Sequence, residues 1–175
     1  AGIAWSYGQG STYMTANNGV KANVGVSYFH FGLPNATFSS VNSEKLYSRM
    51  TLYANMEFGK PNTNLTLIPS VLVNFQNKQL EAIIGSDFRY LLQEGSKYTG
   101  FVQEAAITIG AHYRYADAVI AKLMFEYSNY SVGFSYDINL SKLSAATNLR
   151  GGFEFALKFV TPSPFKNKLG ASKFR

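Results

Sequence analysis

Several segments of this 175-residue chain alternate between apolar and polar residues, and some of the polar positions carry charged side chains. These charged side chains are the first candidates for chemistry. The charges placed in this way are Glu81, Asp87, Arg89, Arg114, Lys122, Glu126, Asp137, Glu154 and Lys158. Two carboxylates can act as general acid and general base, which makes Glu126 and Glu154 candidates for catalysis. Alternatively, they line the inside of a β-barrel and pair there with Lys122, Lys158 and Arg114. The second interpretation is favoured because a barrel interior tolerates and uses such charges, so we expect no enzyme activity.

Motifs for other kinds of chemistry are incomplete. The two histidines, His30 and His112, lie far apart, and no carboxylate or second histidine stands at metal-ligand spacing. The segment Gly8-Gln9-Gly10-Ser11 lacks the lysine and the strand-to-helix context of a phosphate loop. No G-x-S-x-G motif is present, and the absence of cysteine excludes disulfides and thiolate chemistry. We therefore expect no metal and no cofactor, and we expect His112 to form hydrogen bonds inside the barrel.

The runs that carry the charges alternate with a period of two. Apolar residues occupy every second position of Val119–Tyr127, Tyr130–Leu140 and Phe153–Phe159. This is the pattern of strands with one apolar and one polar face. A soluble β-sandwich alternates too, but strands near ten residues suit a tilted membrane crossing, whereas globular strands average about five or six. Aromatic residues near the ends of the apolar rows are typical of membrane-interface girdles; they are Tyr127, Tyr130, Tyr136 and Phe159.

The composition agrees with a transmembrane β-barrel. Charged residues make up 15% of the chain, below the roughly 25% usual in soluble domains. No run of 18 apolar residues is present, which argues against a helical membrane anchor. The net charge of +6 favours an anionic neighbour such as lipopolysaccharide, phospholipid head groups or an acidic protein. No basic stripe interleaved with aromatic residues is present, so we expect no nucleic-acid partner.

Read in order, the chain predicts about nine strands. Besides the three runs above and a first strand through Ile3, Trp5 and Tyr7, they are Lys21–Phe31, Tyr47–Phe58, Leu65–Phe75, Leu80–Tyr90 and Ala105–Tyr115. Pro69 predicts that its strand is an edge or contains a bulge. Bacterial barrels close with an even number of strands, so we expect upstream strands or a second chain to complete the wall. Residues 1–160 are then the C-terminal part of a barrel, and residues 161–175 are a basic periplasmic tail.

The connections predict an orientation. If the last strand ends in the periplasm, the connections Asn17–Gly19, Gly59–Asn64, Gln93–Gln103 and Ser128–Asn129 are periplasmic. The extracellular connections are then Gly32–Glu44, Gln76–Gln79, Tyr115–Asp117 and Ser141–Arg150. Two of the longest connections lie outside in this orientation, as barrels prefer.

Two segments resemble a known family. The stretch from Tyr136 to Leu143, followed by Ala146-Thr147-Asn148 and by Arg150-Gly151-Gly152-Phe153-Glu154, resembles the closing hairpin of the PorP/SprF outer-membrane proteins of Bacteroidota. The segment Val24–Asn35, with His30 and Pro34-Asn35, resembles the middle section of that family. The resemblance implies an outer-membrane barrel of the type IX secretion and gliding machinery. It further implies that the chain serves the export or surface attachment of large adhesins and contacts periplasmic ring lipoproteins.

These observations single out two further groups of residues. The stretch Arg150–Leu157 fits a barrel-assembly signal, with Gly152, Phe155 and Leu157 at its defining positions, although an ordinary strand can match so loose a pattern. The expected partner-contact loops contain Pro34, Asn35, Lys142, Asn148 and Arg150. The leading hypothesis is a non-enzymatic outer-membrane barrel that helps to export or anchor a surface adhesin. The alternative hypothesis is a passive diffusion channel.

Overall fold

The computed structural model describes residues 1–9, 19–35, 45–60, 63–95, 102–141 and 150–161. These residues form one antiparallel sheet whose nine strands follow each other in chain order. The strands are β1 (Gly2–Gln9), β2 (Val20–Phe29), β3 (Arg49–Gly59), β4 (Leu65–Gln76), β5 (Gln79–Gln93), β6 (Ala105–Arg114), β7 (Ala118–Tyr127), β8 (Tyr130–Asn139) and β9 (Arg150–Phe159). Within these ranges, no helix is long and apolar enough to cross a membrane.

The strand register collects the apolar residues on one face of the sheet. Leu123 of β7 pairs with Phe134 of β8, which in turn pairs with Phe155 of β9. Because side chains at paired positions point to the same face, each apolar row continues across neighbouring strands. The parity change that the sequence shows between β7 and β8 is what the hairpin register requires. The predicted all-β antiparallel architecture is therefore confirmed.

The apolar side chains of the sheet are more exposed than many of its polar ones, which is the reverse of the distribution in a soluble protein. Phe125 is 46% exposed and Leu157 68% exposed on the apolar face, whereas 13% of the Asp87 side chain on the opposite face is exposed. The buried residues of the described part are small or polar, namely Gly25, Asn74, Ala105, Ala106, Thr108, Gly110 and Ala118. Exposed apolar area of this extent marks a surface that meets another apolar phase. Around Asp87 the polar face is thus the more buried of the two faces of the sheet.

Three short hairpins turn through residues in the left-handed conformation. Asn77, Ala116 and Ser128 have φ angles of 55°, 56° and 54° and join β4–β5, β6–β7 and β7–β8. A positive φ at the start of a tight hairpin matches the right-handed twist of the flanking strands. The turns predicted at Gln76–Gln79, Tyr115–Asp117 and Ser128–Asn129 are present. The turn predicted at Asn17–Gly19 lies largely outside the described residues.

The prediction for Pro69 was wrong. Its strand, β4, lies inside the sheet between β3 and β5, and the register with β3 is the same on both sides of the proline. Pro69 pairs with Ser86 of β5, but the ladder to β3 lacks the pairs at Met56 and Glu57. The missing N–H of proline therefore interrupts pairing on the β3 side alone, and no bulge is needed.

Strand β5 is longer than predicted. It continues past Tyr90 to Gln93, and its register with β6 shifts between Leu91 and Gln93. Leu91 and Leu92 are consecutive apolar residues, so strict alternation ends there and the sequence pattern no longer indicates a strand. A bulge accommodates such an interruption while the strand continues.

The sheet is open in the described part of the chain. There, β1 pairs with β2 alone and β9 with β8 alone, and no pairing joins the two outer strands. Of the predicted basic tail, residues 162–175 lie beyond the described ranges.

Candidate functional site

The charges predicted to face inward share the polar face of the sheet. The register aligns Asp87, Gly110, Lys122, Ser135 and Glu154 in one row across β5 to β9. The other predicted charges follow the same parity within their strands. Most of them form pairs that link β5 to β7 or β6 to β8, across the strand that lies between, so the polar face carries several clusters of paired side chains.

Lys122 and Asp87 pair across an intervening strand. The Lys122 ammonium donates to Asp87 Oδ2 at 2.7 Å, although β6 separates β5 from β7. The residue between them in the row is Gly110, and a Cβ there would overlap the Asp87 carboxylate. The absence of a side chain at Gly110 is therefore what allows the carboxylate and the ammonium group to meet.

Ser70 and His112 meet in the same way across Gly85. Ser70 Oγ and His112 Nε2 are 3.2 Å apart, and a Cβ at Gly85 would overlap the imidazole ring. Asp87 Oδ1 lies 3.7 Å from the same Nε2 atom. A Ser-His-Asp triad needs the serine and the carboxylate on opposite ring nitrogens. The arrangement therefore has the residue types of a hydrolase but not its geometry.

Arg89 joins β5 to β7 and to the connection before β6. Its Nε donates to Glu126 Oε2 at 2.7 Å, and a terminal nitrogen donates to Glu104 Oε1 at 2.8 Å. The forked guanidinium can hold two carboxylates at once, which a lysine cannot do with the same geometry. The sequence interpretation paired Glu126 with Lys122, Lys158 or Arg114, and that assignment was wrong, because the sheet brings Arg89 to it instead.

Arg114 also binds two carboxylates, at the other end of β6. Its guanidinium lies 3.0 Å from Asp137 of β8 and 3.2 Å from Asp117 in the β6–β7 turn. The backbone N–H groups of Leu140 and Ser141 also donate to the carbonyl of Asp117. Arg114 thus fastens the turn and the end of β8 to β6.

The two candidate catalytic carboxylates lie apart. Glu126 is aligned with Ser131 of β8 and Glu154 with Ser135, four residues further along that strand. Four residues of strand correspond to roughly 13 Å. Glu154 accepts a hydrogen bond from Ser135 at 3.3 Å, and Lys158 is aligned with Ser131. This separation exceeds the roughly 5–9.5 Å between paired carboxylates in glycosidases.

A separate chain of hydrogen bonds joins β3 to β5. Thr51 donates to Asn74 at 2.8 Å, and the Asn74 amide donates to Glu81 at 2.9 Å. Lys21 and Glu57 form a further pair at 2.8 Å near the opposite end of the strands. Across the described ranges, no group of three or more His, Asp or Glu side chains is arranged to hold a metal ion.

The assembly-signal residues lie in β9. Phe155 and Leu157 are exposed on the apolar face, and nothing lies within 4 Å of a Cβ placed at Gly152. Among the expected loop contacts, Asn35 bridges to Lys45 and Arg150 begins β9 opposite Ile138. Pro34 accepts a hydrogen bond from the N–H of Leu46, whereas Lys142 and Asn148 fall outside the described residues.

Among the residues that shape these contacts and that sequence reasoning did not single out are Glu104, Asp117, Gly85 and Gly110. Glu104 and Asp117 lie in connections, where a charge carries no periodic signal. Gly85 and Gly110 stand on the polar face of their strands, where a glycine looks like a weak strand position. The sequence marks these two glycines in one way: each occupies a polar position in an alternating run whose other polar positions carry charges, namely Asp87, Arg89 and Arg114.

Of the comparisons with known proteins, one found a match. The sequence model of one family, described as type IX secretion system membrane protein PorP/SprF, matches residues 2–159. No curated protein and no solved structure matches the chain significantly. The matched region runs from the first residue of β1 to the last residue of β9, so it contains the whole sheet and both of its faces. The chain therefore belongs to the PorP/SprF family of type IX secretion system membrane proteins.

Proposed function

We propose that this chain is part of an outer-membrane β-barrel that helps the type IX machinery to export a partner adhesin or to hold it at the cell surface. The observation that carries the proposal is the reversed exposure of the sheet. Its apolar face is exposed, with Phe125 at 46%, while Arg89 with Glu126 and Lys122 with Asp87 are paired and partly buried on the other face. Such a sheet needs lipid on one side and a polar interior on the other.

The strand lengths support a membrane crossing. Eight of the nine strands contain 10 to 15 residues. A strand of ten residues is roughly 33 Å long, and a tilt near 45° reduces its height to roughly 23 Å. This height is close to the roughly 25 Å apolar band of outer-membrane barrels.

The pairing of the polar face supports a non-enzymatic role. The carboxylate of Glu126 is held by Arg89, Asp87 is held by Lys122, and Asp137 is held by Arg114. A general acid or base must reach the substrate with a free proton position. Residues tied to cations in this way stabilise a wall and are poorly placed to transfer protons.

The proposed orientation places the C-terminus in the periplasm. The connections Gly32–Glu44 and Ser141–Arg150 then contact the exported adhesin outside the cell. The basic tail, residues 161–175, faces the periplasmic ring lipoproteins, and the excess positive charge suits lipopolysaccharide at the outer rim.

Deletion of the gene tests this proposal. We expect the deletion strain to lose one adhesin from the cell surface while permeability to small solutes changes little, and a plasmid copy should restore the adhesin. Surface proteomics of protease-shaved cells identifies the missing protein, and antibiotic uptake reports permeability. An unchanged set of surface adhesins would refute the proposal.

A diffusion channel is the second candidate, because the polar face carries charges that could line a water-filled pore. Planar-bilayer recording of the full-length protein separates the two functions. A steady open-pore current would favour the channel, and silence would favour a barrel that is plugged or occupied.

A further inference from the structure

A cavity of about 300 Å³ opens where β2 ends and β3 begins. Its lining residues are Ser27, Phe29, His30, Arg49 and Thr51. Ser27 is aligned with Thr51, and Phe29 with Arg49, so the cavity lies on the polar face. A ligand therefore approaches it from the polar side of the sheet and not from the apolar face.

Arg49 is the cation of this cavity. Arg89 and Arg114 each bind two carboxylates, whereas Arg49 has no carboxylate partner within the described ranges. A guanidinium is always charged and offers five N–H donors in a planar fork. The donors of Arg49 are thus available to a group that enters the cavity.

His30 is held in position beside Arg49. It has a φ of 60°, and its Nδ1 lies 3.2 Å from the carbonyl oxygen of Tyr47. Because a carbonyl oxygen can only accept, Nδ1 carries the hydrogen, and Nε2 of the neutral ring then holds a lone pair that can only accept a hydrogen bond. The Gln76 amide donates to the same carbonyl at 3.4 Å. A non-glycine residue in the left-handed region persists where surrounding contacts fix it, and such residues cluster at binding sites.

The two hydroxyls of the cavity have different roles. Thr51 donates its hydrogen to Asn74 at 2.8 Å, so its oxygen faces the cavity as an acceptor. The Ser27 hydroxyl can rotate to donate to a ligand. We propose that the cavity binds an oxyanion, a carboxylate or a phosphate group, with Arg49 as the main contact and with the Ser27 hydroxyl as a further hydrogen-bond donor. This goes beyond the proposed function, because a membrane wall requires no such site.

Calorimetric titration of the purified full-length protein in non-ionic detergent micelles tests the site. Inorganic phosphate is titrated in one arm and succinate in the other, at low ionic strength to limit screening. We expect saturable binding of at least one anion, weakened about tenfold or more in Arg49→Gln, because a charge-assisted hydrogen bond is lost. The anion that binds more tightly identifies the recognised group as phosphate or carboxylate.

Matched variants separate the cavity from general electrostatics. Lys78→Gln removes one positive charge from the next hairpin at the same end of the sheet and should leave binding unchanged. Ser27→Ala alters the lining without changing charge and should weaken binding several-fold, which provides a second test if Arg49→Gln fails to fold. Absence of binding to both anions, or equal binding by the wild type and the cavity variants, would overturn the inference.

Discussion

The ammonium group of Lys122 and the carboxylate of Asp87 lie 2.7 Å apart, although β6 lies between the strands that contain them. Gly110 of that strand leaves the space between them. The pair links β5 to β7 directly, and Arg89 with Glu126 adds a second link between the same strands. These contacts join two strands that share no backbone ladder.

Gly110→Ala should break the pair, because the new methyl group would occupy the space of the Asp87 carboxylate. We expect the free energy of unfolding to fall by about 2 kcal/mol, measured by urea titration in micelles with gel mobility as the readout. Gly133→Ala is the control, since its Cβ would meet Ala156 at an ordinary 3.7 Å. Equal stability of the two variants would contradict this account.

Arg89 and Glu126 should be energetically coupled. The side chains are 25% and 27% exposed, so their hydrogen-bonded ion pair is only partly screened. A double-mutant cycle with Arg89→Gln and Glu126→Gln should give a coupling energy of about 1–2 kcal/mol by chemical denaturation. The matched pair Lys21 and Glu57 is 42% and 37% exposed and should give about 0.5 kcal/mol or less. A coupling energy of the Arg89 pair no larger than this would show that Arg89 does not tie the strands together.

An arginine introduced at Phe134 or at Ser135, two neighbouring residues of β8, should affect folding into lipid vesicles to different extents. Phe134 lies on the apolar face against Phe153 and Phe155, and Ser135 lies on the polar face beside Glu154. Phe134→Arg should reduce folding into lipid vesicles by about 2–4 kcal/mol, because it places a guanidinium in hydrocarbon. Ser135→Arg should cost less, since Glu154 can pair with the new charge. Equal losses in the vesicle-folding assay would exclude lipid contact on the Phe134 face.

The β6–β7 turn should gain stability from glycine. Ala116 has a φ of 56°, a conformation that costs an L-residue roughly 1–2 kcal/mol. Ala116→Gly should therefore raise the unfolding free energy by about 0.5–1 kcal/mol, after the loss of unfolded-state entropy is subtracted. The control Ala121→Gly, inside β7, should lower it by a similar amount in the same denaturation assay. A loss of stability in both variants would argue against a strained turn.

The sequence predicted the strands and their faces well because alternation is a local property. Each side chain of a strand points opposite to its neighbour, so the division into an apolar and a polar face follows from parity alone. The nine strands and the tight turns could therefore be recognised before any pairing was known, whereas the PorP/SprF resemblance was carried by the particular residues of Val24–Asn35 and of the stretch from Tyr136 to Glu154. One error, the predicted end of β5, fell where alternation stops, at Leu91. The other two concern contacts between strands, namely the place of Pro69 in the sheet and the partner of Glu126.

What the sequence by itself determined is which residues share a face, and what the tertiary structure decided is which of them touch. The partners of Asp87, Arg89 and Arg114 come from strands two positions away, and their contacts depend on register. A shift of one residue would turn every side chain of a strand to the other face. Parity therefore placed Glu126 among the inward charges, but only the assembled sheet could bring Arg89 to it.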